Sequence, residues 1–213
     1  MFKQWRCEFK SLTTLADNRF EDLYAMYCKA IPVREQKSKA ELCAMVAHRD
    51  YRFLLVQEGQ TLVGFSISFV PTDESFCLLE YMAIHEQCRN RGLGGQLFQE
   101  TSRAVQKECI LLEVDSDREP SADNEIRRRR LKFYRQLGCR RIEGCSYILP
   151  LPGKGPPPSM DLLVHTADTT TTIPQIKLRK WLEVIYVGVY GCAKDDPRIA
   201  TMLEGVRDPV ELV

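Results

Sequence analysis

Histidine is scarce in this chain, with three among 213 residues. The nine cysteines (Cys7, Cys28, Cys43, Cys77, Cys88, Cys109, Cys139, Cys145 and Cys192) include no Cys-x-x-Cys pair. A zinc-type site needs several nitrogen or thiolate ligands at short spacings, so no metal is expected. The cysteines are odd in number and scattered, and several fall on apolar faces, where a free thiol behaves as a small hydrophobe. That argues for a reducing compartment. Long apolar runs are missing too. The first six residues, Met1-Phe2-Lys3-Gln4-Trp5-Arg6, hold no apolar signal core. The longest apolar stretch, around Val184 to Ala193, is about half of what a membrane span requires. Nor does one sign of charge dominate: 30 basic residues face 29 acidic ones, a formal net charge of +1. A cytoplasmic protein with no membrane and no nucleic-acid partner is the expectation.

What remains is ordinary soluble-protein material, 44% hydrophobic and 28% charged, long enough for a sizeable core. The run Arg127-Arg128-Arg129-Arg130 looks like a nucleic-acid signal in isolation. It sits inside a helix-period pattern, where four consecutive residues point to different sides, and a solvated, partly ligand-facing helix is the better reading.

The informative stretch runs from Leu79 to Gly95, LEYMAIHEQCRNRGLGG. An apolar strand passes through a short polar loop into Arg-x-x-Gly-x-Gly, which opens an amphipathic helix. Glycines allow close backbone approach to an anion, and the first helical amides have no intrahelical partner. Those N–H groups and the positive end of the helix dipole suit a phosphate, with Arg89 and Arg91 adding charge-assisted hydrogen bonds. A dinucleotide fingerprint would need glycine where Leu97 stands, and no Lys-Ser/Thr follows the glycines as in a nucleotide P-loop. An ordinary packing turn would explain Gly-Leu-Gly alone.

With the arginine spacing, the stretch resembles the GNAT family of N-acetyltransferases, which binds the pyrophosphate of acetyl-CoA on such a strand–loop–helix unit. Phe133-Tyr134-Arg135-Gln136-Leu137-Gly138 matches the family's Tyr-x-x-x-Gly segment. The sets Leu112–Asp115, Arg129–Tyr134 and Tyr147–Pro150 look like a bacterial subgroup, here with a C-terminal extension. The resemblance covers about residues 3 to 165. One departure stands out: many members carry asparagine seven residues before the helix tyrosine, and here that position is Arg127, with Asn124 three residues too early.

The element order read from periodicity and turn signals agrees with the resemblance. Strands are expected at Arg6–Leu12, Tyr51–Gln57, Leu62–Val70, Phe76–Ile84, Ile110–Val114, Arg141–Leu149 and Met160–His165. Helices are expected from Asp17 as N-cap through Tyr27, from the Ser38-x-x-Glu41 capping box to His48, and over Gly92–Lys107 and Asn124–Leu137. The fold class is α+β in three layers: a GNAT-like, mostly antiparallel twisted sheet of about seven strands, with a parallel central pair joined by a right-handed crossover. The expected domains are 1–165, the acyltransferase, in which the stiff linker Pro150–Pro158 precedes the last strand, and 166–213, a helical extension. In the extension, helices are expected at Gln175–Tyr190 and from Asp196 to Gly205. It is expected to pack on its own chain, with dimerisation as an alternative, so the state is monomer or homodimer.

The resemblance implies acetyl-CoA as co-substrate and direct acetyl transfer to a primary amine in a ternary complex, a small molecule before a protein. An idle acyl-CoA-binding regulatory module is the rival. Cofactor contacts fall on Met82, Ala83 and Ile84 through the backbone, and on Arg89, Asn90, Arg91, Gly92, Leu93, Gly94, Gly95 and Tyr134. Stripping the proton from an ammonium of pKa near 10.4 costs roughly 4–5 kcal/mol at neutral pH, so a base is wanted, and an acid for the departing thiolate. Tyr134 is the candidate acid. Glu80 is the candidate base, with a structural ion pair as the alternative reading, and with Met82 and Ile84 expected on its face of the strand. His85 is a lesser candidate. Glu113 and Asp115 are expected to attract a cationic amine.

Overall fold

The computed structural model describes residues 7–151, 158–166 and 168–213. Arg6 and most of the Pro150–Pro158 linker lie outside the described residues. The chain divides into two compact units, Met1–Lys107 and Glu108–Val213.

In the first unit, β1 (Cys7–Leu12), β2 (Tyr51–Glu58), β3 (Thr61–Phe69) and β4 (Phe76–Ile84) pair in that order, all antiparallel. Their alternating residues feed two cores. Phe53, Leu55, Phe65 and Ile67 pack with Phe20, Leu23 and Tyr27 of α1 (Arg19–Ala30) and Leu42 and Met45 of α2 (Lys39–Ala47). Leu54, Val56 and Val63 pack with Leu93 and Leu97 of α3 (Leu93–Val105) on the other face. Strand alternation thus sorts one hydrophobic sequence into two layers of helix contact.

Local chemistry sets most boundaries. Ser38 accepts from the Glu41 amide at 3.2 Å while the Glu41 carboxylate accepts from the Ser38 amide at 2.7 Å, the expected capping box. Asp17 is not the N-cap of α1. That position is Asn18, without a side-chain cap bond, and Asp17 instead binds the amide and guanidinium of Arg19. At the end of α3, Lys107 donates to the carbonyls of Pro71 and Glu74 at 2.8 and 2.6 Å and holds the β3–β4 loop.

The second unit contains β5 (Cys109–Asp115), α4 (Asn124–Gln136), β6 (Arg140–Arg141), β7 (Tyr147–Ile148) and β8 (Ser159–Thr166), followed by β9 (Thr172–Ile173), α5 (Gln175–Gly188), α6 (Pro197–Leu203) and β10 (Val210–Glu211). β8 pairs antiparallel with β5, and also takes β6 and β7. The single strand expected at Arg141–Leu149 is therefore two short ones. Between them Gly144 turns at φ +75°, against the Gly205 backbone, where a Cβ would stand 2.5 Å from its carbonyl oxygen. A bend that tight needs glycine and cannot continue a ladder.

The extension packs onto this unit. Leu178, Trp181, Leu182, Ile185 and Tyr186 of α5 are buried. Tyr186 donates its hydroxyl proton to the Ile148 carbonyl, and the Ile148 amide donates to Met202 Sδ of α6 at 3.2 Å. Asp196 caps α6 through the Arg198 amide at 3.0 Å. The final residues pair with β6, through Arg141 and Val213. Among the described residues no helix is long and apolar enough to cross a membrane, and no three potential ligands cluster to hold a metal. All nine cysteines are free thiols.

Candidate active site

The strand–loop–helix unit forms as the sequence predicts, with β4 leading through a short loop into α3. Asn90 and Gly92 both take positive φ, at 61° and 77°. Nothing lies within 4 Å of a Cβ built on Gly92, so its glycine is required by the left-handed backbone and not by crowding. Gly92 is also the N-cap of α3, and no side chain caps that helix start. The Gln96 amide reaches the Gly92 carbonyl at 3.2 Å, which leaves the amides of Leu93, Gly94 and Gly95 at the open end of the helix.

Arg89 and Arg91 brace the loop. Arg89 Nε donates to the Ile84 carbonyl and Arg91 Nη2 to the Gln87 carbonyl, each at 3.1 Å. A guanidinium carries five N–H donors in a planar fork. Met82, Ala83 and Ile84 are half-buried on the second half of β4. Gly64 on β3 opposes Ile84, and a Cβ there would stand 2.6 Å from Ile84 Cδ1 and 3.1 Å from the Ala83 carbonyl oxygen. The missing side chain lets the end of β4 settle against β3.

Glu80 departs from the expected alternation. Ile67 pairs with Tyr81 and Ser68 with Leu79, so Glu80 is the extra residue of a β-bulge. Tyr81 and Ala83 pack toward the α1–α2 core, Met82 and Ile84 toward the α3 core. The bulge turns Glu80 to the Tyr81 side, not to the Met82 and Ile84 side expected from strict period two. There its side chain is 3% exposed, with Oε1 3.3 Å from Lys37 Nζ. Burial pushes the Glu80 carboxyl above its ordinary range, and the Lys37 ammonium partly opposes that. The neighbouring Tyr81 hydroxyl donates to the Glu35 carbonyl at 3.1 Å. His85 lies at the rim of a cavity of about 580 Å³ with Lys29 and Arg89.

In the second unit, Tyr134 is buried on α4, its ring 5.1 Å from that of Phe133. Burial raises its phenol to about 12, with Arg130 acting against the rise. The carboxylates expected to meet an amine have partners already. Glu113 accepts from the hydroxyls of Tyr147 and Tyr190, the latter at 2.5 Å, and Asp115 accepts from Arg130 at 2.8 Å. Arg127 donates to the Ser116 carbonyl at 3.1 Å. The sequence carried no signal for Lys37, Tyr147 or Tyr190, because each acts across 34 or more residues.

Residues 49–140 match the family model described as Acetyltransferase (GNAT) domain. That stretch carries a GNAT-type acetyltransferase domain. YjbC of Bacillus subtilis (strain 168), an acetyltransferase by name, is 27% identical over 124 residues, covering 58% of this chain. This chain spans 59% of the length of that curated relative. A GNAT-family structure from Bacteroides thetaiotaomicron superposes with a TM-score of 0.71 at 20% identity, over 87% of this chain and 99% of that one. Arabidopsis thaliana NAA60, solved in complex with acetyl-CoA, gives 0.53 at 14% identity, over 76% of this chain and 99% of its own. These structures share the GNAT fold with this chain, a mixed α+β architecture with a mostly antiparallel sheet.

Proposed function

We propose that this chain transfers the acetyl group of acetyl-CoA to a primary amine, a small molecule before a protein, by direct attack. The observation that carries the reading is the uncapped start of α3 behind two left-handed residues, Asn90 and Gly92. Three amides and the helix dipole there suit the diphosphate of coenzyme A, with Arg89 and Arg91 in the same loop. The backbone of Met82, Ala83 and Ile84 is assigned to the amide-bearing pantetheine arm. NAA60, which shares the fold, was solved with acetyl-CoA bound.

Tyr134 is proposed as the acid that protonates the departing thiolate. Raised to about 12, its phenol holds its proton at neutral pH and donates it only to a strong acceptor. Glu80 is proposed as the base, acting through water on the ammonium. Burial makes its carboxylate more basic than an exposed one, which suits proton abstraction, and Lys37 keeps the charged form accessible. Glu113 and Asp115 contribute to the field that draws a cation. Phenols are neutral donors and leave the charge of Glu113 in place, whereas Arg130 offsets that of Asp115.

The test is calorimetric binding of coenzyme A together with thiol release from acetyl-CoA across an amine panel. Uptake of coenzyme A, lost in the Arg89→Glu/Arg91→Glu double variant, and amine-dependent thiol release are expected. Binding with no release for any amine would leave an idle acyl-CoA-binding module in its place.

A further inference from the structure

Positive charge is concentrated on α4. Its 13 residues, NEIRRRRLKFYRQ, hold six of the 30 basic residues of the chain and one of the 29 acidic ones. The formal net charge is +1 overall, so everything outside α4 is net acidic. Leu131 and Tyr134 are buried and fix the inner face of the helix. Two arginines are engaged by the segment after β4 and α3: Arg127 donates to the Ser116 carbonyl at 3.1 Å, and Arg130 pairs with Asp115 at 2.8 Å. Arg128, Arg129, Lys132 and Arg135 are exposed, and among the described residues no ion pair or hydrogen bond engages their side chains.

At about 100° per residue, these four fall within one stripe of roughly 120°, on the side away from Leu131 and Tyr134. Arg128 and Lys132 are neighbours at i,i+4, and Lys132 meets Arg129 and Arg135 at i,i+3. Like charges at those spacings weaken the helix that carries them. The one acid of the helix, Glu125, stands in its first turn. A stripe of cations that lowers the stability of its own helix is a surface for anions brought by a partner.

The surroundings separate three kinds of polyanion. A helix that lies on a membrane presents an apolar face, and this stripe has no apolar residue; Ile126 is exposed but lies off it. A nucleic-acid strand gains from aromatic stacking and from a long basic track. The stripe has no aromatic ring, spans only about 10 Å, and is flanked by a chain that is net acidic. A short acidic peptide fits it. Carboxylates at alternate positions of an extended segment recur about every 6.5 Å, close to the rise of about 6 Å from Arg128 to Lys132. Arginine forks also suit carboxylates, which they bind with two parallel hydrogen bonds.

We propose that the outer face of α4 docks an extended acidic segment of a partner protein, whose alternating carboxylates lie on Arg128, Lys132 and Arg135. This surface is separate from acetyl transfer and stands whether or not the chain turns over an amine.

The probe is a fluorescein-labelled heptapeptide, Glu-Thr-Glu-Thr-Glu-Thr-Glu, compared by anisotropy on the full chain with its counterpart carrying Gln for Glu. The acidic peptide is expected to bind about tenfold more tightly or better. Its affinity should fall severalfold as ionic strength rises from about 0.05 to about 0.3 M. In Arg128→Gln/Lys132→Gln the preference should shrink about fivefold or more. The thermal midpoint of that variant should be no lower than wild type, because like-charge pairs are relieved. Equal binding of the two peptides, or an unchanged preference in the double variant, overturns the proposal. So does tighter binding of a single-stranded oligonucleotide or of phosphatidylserine vesicles. Displacement of the peptide by saturating coenzyme A would assign the stripe to the cofactor and overturn it too.

Carbodiimide coupling locates the peptide on the wild-type chain. The reagent activates a peptide carboxylate, the Lys132 amine attacks it, an amide forms and the reagent leaves as its urea. Mass mapping is expected to find the adduct on Lys132 above any other lysine. Coupling that spares Lys132 overturns the docking face.

Discussion

Tyr190, just beyond α5, donates its hydroxyl proton to Glu113 on β5 at 2.5 Å. The contact spans 77 residues and ties the C-terminal extension to the β5 strand. Tyr147 donates to the other oxygen of the same carboxylate. A carboxylate held by two phenols is a structural node that joins residues after α5 to β5 and β7.

Tyr190→Phe removes one charge-assisted hydrogen bond and leaves the ring. A loss of about 1.5–3 kcal/mol is expected, read as a lower urea midpoint at unchanged slope. Combined with Glu113→Gln, the losses should fall short of additivity, because both changes dismantle one network. Additive losses would separate the two residues energetically.

Tyr134→Phe tests the proposed acid. The turnover number should fall tenfold or more while coenzyme A affinity in calorimetry stays the same. With the phenol raised to about 12, the wild-type rate should show no alkaline fall from this group through pH 10. An unchanged turnover number in the variant removes Tyr134 from the chemistry.

Lys37→Met strands the Glu80 carboxylate in the α1–α2 core without its cation. Breaking one side of a buried pair is expected to cost about 3–5 kcal/mol at neutral pH. The folded carboxyl is raised above its unfolded value, so the folded state binds the proton more tightly than the unfolded one. The cost is therefore present above the folded pKa and is relieved as pH falls through it. Thermal unfolding from pH 7 downward should show the variant and wild type converging. A pH-independent gap would mean that Glu80 is not the titrating group.

Ser38→Ala breaks the capping box of α2, with an expected loss of about 1 kcal/mol. The Glu41 carboxyl is held below its ordinary value by Ser38. Its stabilisation is thus complete above the unfolded pKa and fades as pH falls through the lower folded one. In Ser38→Ala that acid-limb dependence should shrink.

Gly92→Ala places a Cβ on a residue at φ +77°, with open space around it. The cost is conformational, about 1–2 kcal/mol, and the loop should relax away from the left-handed form. Coenzyme A affinity should fall with it. Retained affinity would show that the loop geometry tolerates an ordinary residue.

Elements whose signals are local were legible in the sequence. The capping box at Ser38 and the Arg89–Gly95 loop depend on neighbours within a few residues. Glu80 was misplaced to the wrong face because a bulge adds one residue to a strand without leaving a mark in period-two alternation. The strand expected at Arg141–Leu149 breaks because Gly144 must turn against Gly205, 61 positions later in the numbering.

The sequence by itself determined the order of strands and helices, the two-sided apolar patterning and the glycine–arginine loop, since propensity, capping and periodicity act over a turn or two. Only the tertiary structure decided what each charge faces: Lys37 beside Glu80, the tyrosines on Glu113, and Asp161 beneath Arg118 and Arg141. Those pairings depend on which segments fold back onto one another. Desolvation then makes each pairing matter, because a buried carboxylate is tolerated only where the fold supplies its partner.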